Sequence, residues 1–291
     1  MSAGQSLVVT DYNSLRAHPL LAAAVSKVSW GHKHLKDLEN SAEESLSRTE
    51  CQARLSASFD VESGDHVFAI ASVPDLAKYS EEIVNTVFDI AGNFRAALDK
   101  LAWALVQFEH GGTAPNPASV KFPICDSPEI WQKAQRARGQ FATPHDAFIE
   151  EFQPYRGLNG LADSWHGTYV HPLAMVQSLN NEGKHQDDWP VMLPGAGASV
   201  GRNALPADFD MYLAEALQFK PMPLEGIGRP MAEGSDVMRL RLHAGADKYI
   251  DDAGRLTPIL AFDDGRRIID TLQRIERYVG YVLSEFARRF P

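Results

Sequence analysis

Two groups of polar side chains set into otherwise apolar helical patterns are the residues of this chain best suited to chemistry. Arg95 and Asp99 stand four apart, the spacing at which a guanidinium and a carboxylate pair along one side of a helix. Asn181, Lys184 and His185 cluster around Gly183 at the end of a second apolar stretch. A neutral imidazole beside an amide and an ammonium suits general acid–base chemistry or anion binding. The same residues have a structural use, with Asn181 capping a helix and Lys184 and His185 hydrogen-bonding its last carbonyls. Arg95, Asp99, Asn181, Lys184 and His185 form the candidate catalytic set.

Other motifs carry less. Gly197-Ala198-Ser199-Val200-Gly201 matches the Gly-x-Ser-x-Gly pattern of a nucleophile elbow, which needs a strand before the serine and a helix after it. Pro206 and Arg202-Asn203 leave no helix there, so the segment reads as a glycine-rich surface loop. Its glycine spacing does not fit a phosphate cradle, and no cofactor is expected. The ten histidines form no metal-ligand pattern. His32 and His34, two apart on a helix, point about 200° apart, and no metal is expected. Asp251-Asp252 and Asp263-Asp264 read as turn and cap residues rather than calcium ligands.

The elements that must position these residues follow from hydrophobic periodicity. Leu21, Val25, Val28, Leu35, Leu38, Ala42 and Leu46 predict an amphipathic helix over 18–49, opened by Pro19. Alternation from Leu55 to Val61 and the run Val67 to Val73, around Ser63-Gly64-Asp65, predict a β-hairpin over 53–73. Ile83 to Val106 gives the strongest helical pattern, over 78–110, closed by Gly111-Gly112. Its Asn85, Asp89, Asn93 and Lys100 form a solvated stripe. Short helices and packed loops follow, with Phe122-Pro123-Ile124 and Gln153-Pro154-Tyr155 as anchoring points. A helix over 171–186, a β-rich insert over 189–263 and a closing helix over 266–289 complete the chain. The expected fold is α+β: a bundle of long amphipathic helices with a β-hairpin and an inserted antiparallel sheet. Apolar faces on the first, second and last long helices imply one shared core, so 1–291 reads as a single integrated domain.

The 291 residues include 44% hydrophobic and 23% charged types, a globular composition that excludes wholesale disorder. Lys plus Arg number 28 against 38 Asp plus Glu, and the net charge of −10 disfavours non-specific attraction to phosphate backbones. No signal peptide and no membrane helix are expected. The two cysteines, Cys51 and Cys125, read as buried small hydrophobes in a cytoplasmic protein.

One helix reads Asn93-Phe94-Arg95-Ala96-Ala97-Leu98-Asp99-Lys100-Leu101-Ala102-Trp103. Phe122-Pro123-Ile124, Gln153-Pro154-Tyr155, His171-Pro172-Leu173 and Asn181-Glu182-Gly183-Lys184-His185-Gln186 follow in order. As a set these motifs resemble a group of bacterial proteins common in actinobacteria, in which His, Asp and Arg stand at the positions of Lys100, Gly183 and Gln186. That resemblance implies a bacterial or phage source and an α+β domain, and no established activity. The Asn-x-x-Lys-His helix end also resembles the HEPN superfamily of helical RNA-binding proteins and metal-independent ribonucleases. In that reading Arg95 reaches His185 across helices, His185 is the general acid or base, Arg95 and Lys184 steady a developing phosphorane, and Asn181 orients the substrate. The leading expectation is a non-catalytic binding or interaction protein with its polar site at the end of the 171–186 helix. It would take an unknown protein or nucleic-acid partner. The alternative is the HEPN-like ribonuclease or RNA-binding protein, and a third reading is a homodimer held by the helices.

Overall fold

A computed structural model describes residues 11–48, 51–62, 65–74, 77–157, 170–182, 191–199, 218–220, 233–234, 236–241, 255–262 and 266–290. Helices α1 (Tyr12–Arg16) and α2 (Ala22–Ser47) lead into strands β1 (Ala53–Asp60) and β2 (Asp65–Ser72) and helix α3 (Ala77–Glu109). A 3-10 turn (Pro117–Ser119) precedes the short helices α4 (Pro128–Lys133), α5 (Gln135–Arg138) and α6 (Thr143–Glu151). A second 3-10 turn (Pro154–Arg156) and α7 (Pro172–Glu182) follow. Strands β3 (Val191–Ser199), β4 (Gln218–Lys220), β5 (Asp236–Arg241) and β6 (Arg255–Ala261) precede the last helix, α8 (Ile268–Arg289). The fold is α+β, as the periodicities predict. Among the described residues no helix is long and apolar enough to cross a membrane.

The chain divides into two compact units, each assembled from separate stretches of sequence. The first comprises 1–37, 85–187 and 270–291; the second comprises 38–84 and 188–269. The first unit is helical. Its core takes the stripes predicted from sequence: Leu21 just before α2, Val25, Val28 and Leu35 of α2, Phe94, Leu98 and Leu101 of α3, and Leu272, Ile275, Val279 and Phe286 of α8, all essentially inaccessible to solvent. The α2 stripe carries Gly31 on its buried side, where an added Cβ would lie 2.6 Å from Cε1 of Phe94. Glycine in a helix interior is unfavourable on propensity, so its use here reflects the space that the Phe94 ring occupies.

The second unit holds one six-stranded antiparallel sheet in the order β3-β6-β1-β2-β5-β4. The hairpin pairs Ser58 with Val67 and Asp60 with Asp65, and an Asp60 carboxylate oxygen accepts the Glu62 N–H at 3.0 Å to start the turn. Hairpin and β-rich insert, expected as separate features, are continuous: β5 adds to β2, and β6 to β1. A lone hairpin leaves two unpaired backbone edges, and the later strands occupy both.

The glycine-rich loop expected over 197–201 is corrected as far as Ser199, which lies in edge strand β3 and pairs with Arg255 of β6. The register shifts between Pro194 and Ala198, where Gly195 and Gly197 fall, so the glycines mark a bulge rather than a catalytic turn. Val200 and Gly201, like the Asp251-Asp252 and Asp263-Asp264 turns, lie outside the described residues.

Two glycine substitutions should move stability in opposite directions. Gly31→Ala should destabilise by about 1–2 kcal/mol through overpacking against Phe94. Gly92→Ala, where nothing lies within 4 Å of the added Cβ, should stabilise by about 1 kcal/mol on helix propensity. Urea denaturation of both variants reads the two signs, and a stabilised Gly31→Ala would contradict the close α2–α3 approach.

Candidate functional site

Helix α3 presents Arg95 on its buried side and Asp99 one turn later, partly exposed. The pair forms as the spacing predicts, with Nη2–H to Oδ1 at 2.9 Å and Nε–H to Oδ2 at 3.3 Å. The rest of the guanidinium is also engaged. Nη2 donates to the Phe122 carbonyl at 2.7 Å and Nη1 to Oε1 of Gln177 at 3.0 Å. Asp99 Oδ1 accepts the Phe122 N–H at 2.9 Å, so both backbone groups of Phe122 end on this one ion pair. On α7, Gln177 in turn donates its Nε2–H to Oδ1 of Asn181 at 3.0 Å.

The same chain segment is held from its other end. Gln153, fully buried, donates Nε2–H to the carbonyls of Pro123 and Ile149, both at 3.0 Å, and accepts the Cys125 N–H at 2.8 Å. Side chains rather than a neighbouring strand thus satisfy the N–H and carbonyl of Phe122, the Pro123 carbonyl and the Cys125 N–H. Burial of these groups without partners would cost about 1–3 kcal/mol each.

Beside this segment opens a cleft of about 500 Å³, lined by Arg95 and Gln177, residues 118–119 and 121–125, and Ile130, Ala134, Arg136 and Ala137. Among the described residues its lining contains three cationic side chains and no acidic one. Lys121 and Arg136 are exposed and have no side-chain partner among the described residues, whereas Arg95 is buried and paired. Burial, then the nearby Asp126 carboxylate, pushes the Cys125 thiol up, which keeps it protonated and a poor nucleophile. Both Cys51 and Cys125 are free and buried.

His171 begins α7. Its Nδ1 accepts the Leu173 N–H at 3.1 Å, capping the helix, and its Nε2 therefore carries the proton, 3.1 Å from the Tyr278 hydroxyl. Pro172 occupies the first helical position, where no N–H is needed. Burial pulls the His171 pKa down to about 4. The His-Pro-Leu motif is thus a helix start. His145 and Glu109, both nearly buried, hydrogen-bond each other at the start of α6, and the Ala142 N–H donates to the same carboxylate.

Of the sequence-predicted set, Arg95 and Asp99 are in direct contact and Asn181 is linked to Arg95 through Gln177. Lys184 and His185 lie outside the described residues. Gln177, Lys121 and Arg136 went unremarked in sequence. Gln177 stands four before Asn181, a spacing that signals their pairing; Lys121 and Arg136 carry no local signal, because their meeting depends on the path of 111–138. Among the described residues, no group of three or more His, Cys, Asp or Glu could hold a metal ion. No family model, no curated protein and no solved structure matches the chain.

Removing the guanidinium leaves Asp99, Gln177 and the Phe122 carbonyl short of a partner. Arg95→Met should therefore cost about 3–5 kcal/mol in chemical denaturation. Arg95→Lys should recover little, because a point ammonium cannot replace a planar fork with three acceptors. A lysine variant as stable as wild type would refute this role.

The His171 shift also sets a pH dependence. Between about pH 6.5 and 4 the unfolded chain protonates this imidazole while the folded chain does not, so stability falls as pH falls through that window. The contribution is about 3 kcal/mol. His171→Asn, which keeps a capping side chain, should flatten that part of the stability–pH curve; an unchanged slope would exclude His171 as its source.

Proposed function

We propose that this chain is a non-catalytic binding protein, with its working surface at the cleft beside Arg95 and Gln177 and at the polar end of α7. The observation that carries this reading is the state of Arg95. Four of its five N–H donors are taken, by Asp99, the Phe122 carbonyl and Gln177. A guanidinium that must meet charge developing in a transition state needs donors aimed at the reacting group, and this one is aimed into the scaffold. Gln177, Gln153 and Ser119 are likewise hydrogen-bonded to other protein groups, as expected of a rigid frame. The cationic lining supports binding: it opposes the chain's overall charge of −10 and concentrates positive potential at one place.

A ribonuclease is the second reading, favoured by the hydrogen-bonded chain Arg95–Gln177–Asn181 running along α7 toward its C-terminal end. Incubation of the purified protein with total RNA separates the two. Under the binding reading the RNA stays intact. Cleavage by the wild type that is abolished in His185→Ala would overturn it.

A further inference from the structure

The ligand class that the cleft accepts follows from which of its polar groups still have capacity. Arg95 has four of its five N–H donors engaged, as above. Gln177 uses its oxygen on Arg95 and its amide N–H on Asn181. Ser119 donates to the Asn116 carbonyl at 3.1 Å and accepts from Nε2 of Gln140 at 2.9 Å. Cys125 is a buried, protonated thiol whose backbone N–H is taken by Gln153. Lys121 and Arg136 remain: donors without lone pairs, exposed, and unpartnered among the described residues. The other lining side chains are apolar, and Ile130 is about half exposed.

We infer that the cleft binds a small amphipathic anion, with a carboxylate or phosphate head at Lys121 and Arg136 and an apolar body against Ile130, Ala134 and Ile124. This rests on the binding-protein reading and deepens it. A sugar or nucleoside brings several hydroxyl and amine donors, whereas among the described residues the side-chain oxygens of the lining are Oε1 of Gln177 and Oγ of Ser119, each already accepting one hydrogen bond. A nucleic acid also needs exposed aromatic rings for base stacking, and the one aromatic ring that lines the cleft among the described residues, Phe122, is fully buried. A volume of about 500 Å³ suits a small molecule. A planar guanidinium and a compact ammonium both bind carboxylate and phosphate heads, so the two heads are separated by experiment.

Isothermal titration of the full chain with octanoate and with octyl phosphate tests this, using acetate, octanol and a short single-stranded RNA as controls. The expected result is one saturable site for at least one octyl anion, the tighter of the two naming the head. Acetate and octanol should bind at least tenfold more weakly, and the RNA should not compete. Lys121→Gln and Arg136→Gln alter exposed side chains, so they should fold normally while weakening the octyl anion at least tenfold. Three results would overturn the inference: no saturable binding of either octyl anion, binding unchanged in both variants, or octanol or RNA occupying the site equally well. Failure here with RNA left uncleaved removes the ligand class and leaves the binding-protein reading standing. RNA cleavage lost in His185→Ala removes that reading, whatever the octyl anions do.

Discussion

The desolvated guanidinium of Arg95 constrains much of the helical unit. An arginine cannot shed its charge on burial, so every part of its fork must meet an acceptor or the fold bears a desolvation cost of several kcal/mol. Asp99 supplies the countercharge from one helical turn away, at 2.9 Å. What remains of the fork draws in a backbone carbonyl from 122 and a side chain from 177, residues far apart in sequence. One ion pair thereby ties α3, the segment after the 3-10 turn at 117–119, and α7. The cleft has a firm wall because that wall is held by charge-assisted hydrogen bonds rather than by packing alone.

The neighbouring motifs work by the same physics. Each supplies a side chain that satisfies the backbone of another segment, or a residue whose geometry starts a helix. Gln153 fastens Pro123 and Cys125, Tyr155 donates to Glu150 at 2.9 Å, and His171 caps α7 while reaching Tyr278 on α8. Loops rich in proline cannot rely on regular ladders, so buried side-chain amides and imidazoles take over. This explains why the region from 111 to 157, built of short helices and 3-10 turns joined by loops, is nonetheless well buried at Phe122, Trp131, Phe148 and Phe152.

Aromatic packing completes the helical unit. Phe148 of α6 meets Phe286 and Phe290, and Phe152, just after α6, meets Phe148, Tyr278 and Tyr281, with His145 4.6 Å from the Phe290 ring centre and the Phe290 carbonyl 2.7 Å from Nε2 of His18. The last turn of α8 is thereby held by the first and the middle stretches of the unit's sequence. Close approach of α2 and α3 depends on a different device, the absence of a side chain at Gly31.

Much of this was legible in sequence, because periodicity is a local property. The long helices begin and end within a few residues of their predicted bounds, and their buried stripes are the predicted ones, since an amphipathic face has one energetically sensible orientation. The Arg95–Asp99 pair followed from helical spacing, and the burial of both cysteines from their apolar character. Local pattern carries no account of partners across the chain. It could not show that the hairpin and the later strands share one sheet, since alternation identifies a strand without naming its neighbour. Nor could it show that the glycines near 197 sit at a bulge, that Gln177 and the Phe122 backbone complete the coordination of Arg95, or that Lys121 and Arg136 line one cleft. Sequence alone determined which residues were buried and which paired within a helix. Tertiary structure decided which donors were left to face a ligand, because hydrogen bonds between distant segments use them up.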